Sequence, residues 1–142
     1  MQSNETLVLE KRAVNYDGVW PAGSGSIFSF SDDRARQLFI PMAGTSKGKS
    51  GYPHEYQKRD GFEFPVGDCN DPSVKTLEWP VFQGKDQWIK DTKKKDQPIH
   101  SNPGAFRVVY REDNSEFCGY MTHTEKKEDG SAGGRFQLCE EL

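Results

Sequence analysis

Ala105-Phe106-Arg107-Val108-Val109-Tyr110-Arg111, a polar turn, and Phe117-Cys118-Gly119-Tyr120-Met121-Thr122-His123 read as two consecutive strands of an antiparallel sheet. Side chains alternate between the faces of a strand. Arg107 and Val109 therefore share one face, opposite Phe106, Val108 and Tyr110. Met121 and His123 share a face, opposite Thr122 and Thr124. Two strings further upstream have the same character. In Tyr52-Pro53-His54-Glu55-Tyr56, alternation puts Tyr52, His54 and Tyr56 on one side, and in Leu77-Glu78-Trp79-Pro80 a carboxylate stands between two apolar groups. If these four strands are neighbours, one sheet face collects His54, Glu78, Arg107 and His123. The other face, aromatic and aliphatic, packs on a helix. Charged groups are disfavoured inside strands. Glu78 and Arg107 are therefore either a structural ion pair on a solvated face or part of a site that moves protons and stabilises anionic oxygen.

The rest of the chain frames that sheet. Further strands are expected at 52–57, 61–66, 76–82 and 135–139. Residues 13–30 read as a hairpin around Pro21-Ala22-Gly23-Ser24-Gly25. Ser31 offers a helix N-cap with Asp32 and Asp33 in the first turn. The helix should run from Arg34 to Ile40, with Pro41 ending or kinking it and Gly44 closing it. Residues 45–51 read as a flexible loop, and 83–104, with Lys93-Lys94-Lys95, as an exposed, mobile one. The expected fold class is α+β: an N-terminal β-hairpin and one short α-helix packed on a twisted central antiparallel sheet.

Composition agrees with one such domain over 13–142. Only 33% of the 142 residues are hydrophobic, but nine Phe, five Tyr and three Trp can fill a core. No apolar run is long enough to span a membrane. A net charge of −3 argues against a protein that coats itself in nucleic acid by bulk charge, but not against a local phosphate site. Residues 1–12 are polar and read as a propeptide or disordered tail. They end in the dibasic pair Lys11-Arg12 and contain a glycosylation sequon at Asn4. The three cysteines, Cys69, Cys118 and Cys139, show no zinc-site spacing, and an odd count leaves at least one unpaired. Composition leaves reduced thiols and one bridge equally open.

From about residue 49 to 139, Tyr52-Pro53-His54, Glu78-Trp79-Pro80, Arg107-Val108-Val109-Tyr110, Phe117-Cys118-Gly119 and Thr122-His123-Thr124 resemble, in order, the fungal guanyl-specific ribonucleases, including the ribotoxin branch (sarcin, restrictocin, hirsutellin). Ala13-Val14 after a basic residue resembles the mature start of the ribotoxins. The resemblance implies the microbial ribonuclease fold and secreted, metal-independent endonuclease activity on single-stranded RNA, with no cofactor, as a monomer, with DNA excluded. By position it implies Glu78 as general base, His123 as general acid, His54 as helper of the base, and Arg107 and Tyr52 at the phosphate. Phe136 would pack beside the scissile phosphate. Tyr56, Gln57, Lys58, Arg59 and Asp60 match the guanine-binding loop, with Tyr56 stacking on the base and Asp60 accepting from it. Lys58 and Arg59 depart from the family's amide and aromatic residues, and Asp60 is shorter than its usual Glu, which relaxes the expected guanine preference. The resemblance also implies a Cys69–Cys118 disulfide, with Cys139 left free, buried or bridging to another molecule.

Three functions follow from that resemblance. One is a guanyl-preferring ribonuclease. A second is a ribotoxin cutting one ribosomal RNA loop, favoured by the short His54–Glu78 spacing and by Gly48-Lys49-Ser50-Gly51, disfavoured by the net acidity and by the retained Tyr52. The third is an effector that binds RNA or protein without cutting, which the filled catalytic positions disfavour.

Overall fold

The computed structural model describes residues 12–14, 29–82, 86–98, 103–126, 128 and 132–141. The expected turn at 21–25, the sequon and Lys11 lie outside the described residues. Strands β1 (Arg12–Val14) and β2 (Ser29–Ser31) pair antiparallel, as a hairpin spanning 13–30 requires. A short C-terminal strand, β8 (Glu140–Glu141), adds to the other side of β1. The central sheet has five antiparallel strands in the order β3 (His54–Tyr56), β4 (Thr76–Pro80), β5 (Phe106–Arg111), β6 (Phe117–Lys126) and β7 (Ala132–Leu138).

One helix, α1, occupies residues 32–43. Ser31 caps it, its Oγ accepting from the Arg34 amide at 3.0 Å. Pro41, read as ending or kinking the helix, does not end it. The turn Ala35–Phe39 widens into π geometry, with the Ile40 amide donating to the Ala35 carbonyl, and helix resumes over Ile40–Ala43. Proline has no N–H, and its ring collides with the carbonyl four residues back in a regular helix. A widened turn just upstream takes up that misfit. Gly44, at φ 66°, then closes the helix with its amide on the Ile40 carbonyl.

Phe30, Ala35, Phe39, Ile40 and Ala43 pack on Leu77, Trp79, Val108, Tyr110 and Tyr120, the aromatic face expected from alternation. The opposite face is also partly covered. Tyr56, Phe64, Cys69, Val109, Cys118 and Met121 form a second cluster there. The segment that covers it is 61–66, which is not the strand its composition suggests. The Asn70 side chain bonds both the amide of Phe64 (2.7 Å) and its carbonyl (2.9 Å), so that backbone is satisfied without a ladder. The expected disulfide is present between Cys69 and Cys118 and ties this cover to β6. Cys139 is free and buried.

The two loops read as mobile are zipped together over their described parts. The Ser50 amide donates to the Lys90 carbonyl at 3.0 Å, and Gly48 lies so close to that carbonyl that a Cβ would overlap it. Trp88 is buried, and the Gln97 side chain bonds Ile89 N, Ile89 O and Thr92 O. Polar composition hid these anchors, because one tryptophan and one glutamine supply them.

Candidate active site

Register brings the predicted residues together. His54 is directly opposite Glu78 across β3–β4, and Glu78 is opposite Val109 on β5. Arg107 is opposite Met121 on β6, and His123, two residues further along, is opposite Phe136 on β7. All therefore lie on the face away from α1, as alternation along β4, β5 and β6 requires.

The centre of the site is an ion pair. Arg107 Nε lies 3.2 Å from Glu78 Oε1, with the two residues only 2% and 4% exposed. The Nε–H makes no directed hydrogen bond, so the attraction is chiefly between charges. Arg107 is oriented by its other nitrogens. Nη1 donates to the carbonyls of Pro103 (3.2 Å), Gly104 (2.9 Å) and Phe106 (3.0 Å), and Nη2 to the Tyr52 hydroxyl (3.3 Å). Tyr52 is buried between Trp88, edge-on at 5.8 Å, and the His54 ring at 4.5 Å.

Burial decides the protonation of this group. It pushes the Glu78 carboxyl up to about 7, with the Asp60 charge adding and Arg107 opposing. His54 is held below its ordinary value, mainly by burial and further by Arg107, Lys47 and Lys94, against a raising bond to the Glu55 carbonyl. His54 Nδ1 approaches Glu78 Oε2 at 3.6 Å. With the imidazole neutral at pH 7, that approach is not an ion pair.

His123 is held from two sides. Its Nδ1 lies 3.1 Å from the Gly134 carbonyl, which can only accept, so Nδ1 carries a proton and Nε2 is the nitrogen available for proton exchange. Its ring stacks on Phe136 at 3.9 Å. Gly134 and Arg135 escaped the sequence reading. The signal was the Gly133-Gly134 pair inside a strand, which marks a bulge. The β6–β7 register does slip between His123 and Glu125, and Gly134 has φ 78°.

The loop expected to bind the base is held by its own side-chain contacts. Tyr56 is 5% exposed, with Phe62 stacked at 6.0 Å and Phe64 and Phe136 edge-on. Its hydroxyl donates to Asp60 Oδ2 at 2.8 Å. Lys58, at φ 58°, donates to the carbonyls of Asp71 (2.9 Å) and Val74 (2.6 Å), so its ammonium pins a turn. Gln57 and Arg59 are exposed. Beside Asp60 and Phe136 opens a groove of about 290 Å³. Among the described residues, no group of three or more His, Cys, Asp or Glu is placed to hold a metal ion.

A curled five-stranded antiparallel sheet with one helix behind it and acid–base groups across its other face is the microbial ribonuclease fold. A family model described as ribonuclease matches residues 15–140, and the chain belongs to that family. Guanyl-specific ribonuclease Ap1 of Aspergillus pallidus is 34% identical over 116 residues, 82% of this chain and 88% of that one. Guanyl-specific ribonuclease C2 of Aspergillus clavatus is 34% identical over 116 residues, covering 82% and 70%. Among solved structures, hirsutellin A from Hirsutella thompsonii superposes with a TM-score of 0.69 at 25% identity, over 91% of this chain and 98% of that one. The Aspergillus ribotoxin restrictocin gives 0.63 at 22% identity, over 92% and 99%, a likeness of fold.

Proposed function

We propose that this ribonuclease is secreted and cleaves single-stranded RNA on the 3′ side of guanosine by internal transesterification. Glu78 takes the proton of the ribose 2′-OH, and the 2′-oxygen attacks phosphorus. The bond from phosphorus to the 5′-oxygen breaks as His123, through Nε2, protonates that oxygen. Arg107, with Tyr52, stabilises the negative charge that builds on the phosphoryl oxygens, and His54 assists Glu78. The product is a 2′,3′-cyclic phosphate, which water opens slowly to a 3′-phosphate. The nucleophile is internal to the substrate, so the step uses no cofactor, and DNA, lacking the 2′-OH, is no substrate.

One observation carries this reading: Glu78 is buried 3.2 Å from a guanidinium, with its carboxyl raised to about 7. A base works best when its pKa lies near the working pH, and positioned proton transfer contributes typically ~10²–10⁴-fold. The preference for guanosine rests on the 34% identity to enzymes named guanyl-specific. Secretion is supported by the disulfide, a bond that persists in oxidising compartments.

The test is turnover of GpC and ApC dinucleotides in EDTA, with cyclic products resolved by chromatography. GpC is expected to be cleaved faster, and Glu78→Gln to lose roughly 10²–10⁴-fold in kcat. Equal activity of wild type and Glu78→Gln sinks the mechanism. The short His54–Glu78 spacing and Gly48-Lys49-Ser50-Gly51, which resemble the ribotoxin branch, support a second reading, cleavage at a single ribosomal site. A single discrete fragment from intact ribosomes, with dinucleotides and bulk RNA untouched, selects it.

A further inference from the structure

Tyr52 meets the proposed phosphate site through one group, a hydroxyl that accepts from Arg107 Nη2 at 3.3 Å. Its backbone is pinned to the preceding turn, with the Gly48 amide donating to the Tyr52 carbonyl at 3.0 Å. The aim of the ring is a separate matter, set by what packs against it. The His54 ring lies 4.5 Å away, and the Trp88 indole stands nearly perpendicular to Tyr52 at 5.8 Å.

Trp88 is itself held still. It is 1% exposed, so no substrate reaches it, and it stacks on Phe82 at 6.5 Å. Three bonds from the Gln97 side chain fix the segment that follows it, at Ile89 N, Ile89 O and Thr92 O. The same segment is fastened to the turn that carries Tyr52. The Ser50 amide donates to the Lys90 carbonyl at 3.0 Å and the Lys49 amide to Asp91 Oδ1 at 3.4 Å.

We propose that Trp88 is a positioning residue for the phosphate side of the site: it braces the Tyr52 ring and so holds the hydroxyl where it meets Arg107 and a phosphoryl oxygen of the substrate. The inference rests on the reaction proposed above, in which Tyr52 and Arg107 stabilise charge on those oxygens. Preorganised groups stabilise a transition state only while they stay aimed at it. Deleting the indole leaves a void that its neighbours fill only in part, and Tyr52 is then free to tilt into it. A misplacement of about 1 Å caused far from the chemistry can cost about 100-fold. Every substrate shares the scissile phosphate, so losing the brace slows all of them alike.

Trp88→Ala is expected to lower kcat about tenfold on both GpC and ApC, with KM little altered. Trp88→Phe keeps a ring against Tyr52 and drops an indole N–H that has no hydrogen-bond partner among the described residues, so its kcat should stay within about threefold of wild type. A double-mutant cycle separates the brace from general loosening of the core. In a Tyr52→Phe background the hydroxyl is already gone, so Trp88→Ala should cost less than about twofold more. Gln97→Ala, which frees the Trp88 segment but leaves the indole, supplies the same cycle if Trp88→Ala does not fold. NMR of the Arg107 side-chain N–H groups reads the brace without substrate. Tyr52→Phe should shift those signals, Trp88→Ala should shift them the same way, and Trp88→Phe should leave them in place. Unchanged turnover by Trp88→Ala, the same loss from it in the Tyr52→Phe background, or Arg107 signals indifferent to the indole each overturn the proposal. A wild type inert on all RNA refutes the proposed reaction, while the Arg107 signals still decide the brace.

Discussion

At the scale of single residues, the site depends on a charge held out of water. Taking a carboxylate and a guanidinium from solvent costs several kcal/mol per ion, and their attraction only partly offsets it. Glu78 shows the residue of that cost as a pKa of about 7, and His54 as one below the ordinary imidazole value. The sign of the effect on catalysis follows. As a base, Glu78 works only when deprotonated, so kcat/KM should rise with pH through about 7 and fall again at higher pH as His123, the general acid, loses its proton. A pH–rate profile on GpC reads this limb. A limb centred near 4, the ordinary carboxylate range, would mean that Glu78 is better solvated than its burial indicates. Glu78 and Arg107 stood out in the sequence because strands disfavour charge, and the resemblance to the ribonucleases is what assigned them, His54 and His123 their expected roles. Their protonation was not legible there, because it depends on how deeply each group is buried, which tertiary packing decides.

At the scale of elements, the bulge between β6 and β7 aims His123. Gly134 sits in the left-handed region, and a Cβ there would come within 2.8 Å of the Glu125 carboxyl carbon. That side chain is exposed and can move, so the main penalty of Gly134→Ala is the backbone conformation. The substitution should cost about 1–2 kcal/mol in urea unfolding. If the carbonyl under Nδ1 shifts with it, kcat falls by roughly tenfold as well. A variant that loses stability but keeps full turnover would show that the Gly134 carbonyl is not needed to orient His123. The helix offers the converse lesson. Ser31 and Gly44 were readable caps, whereas the sequence left open whether Pro41 ends or kinks the helix, and a π turn let the helix absorb it.

At the scale of the molecule, two faces of one sheet are both partly buried. The second cover is held by the Cys69–Cys118 bridge, which closes a loop of 49 residues. The chain-entropy model assigns such a loop about 4 kcal/mol. Replacing both cysteines by Ala should lower unfolding free energy by about 2–4 kcal/mol and reduce activity, since the bridge joins the cover of the site to the strand that carries His123. Unchanged denaturation midpoints would make the bridge incidental. The sequence by itself determined the sheet, its faces and the order of the acid–base groups, because strand periodicity and the short strings around His54, Glu78, Arg107 and His123 are local properties. Only the tertiary structure decided which groups are buried, that Lys58 pins a turn, and that Asp60 accepts from both the Tyr56 hydroxyl and the Phe136 amide. Those facts depend on contacts between residues as far apart as Asp60 and Phe136, and no local pattern records how distant segments pack.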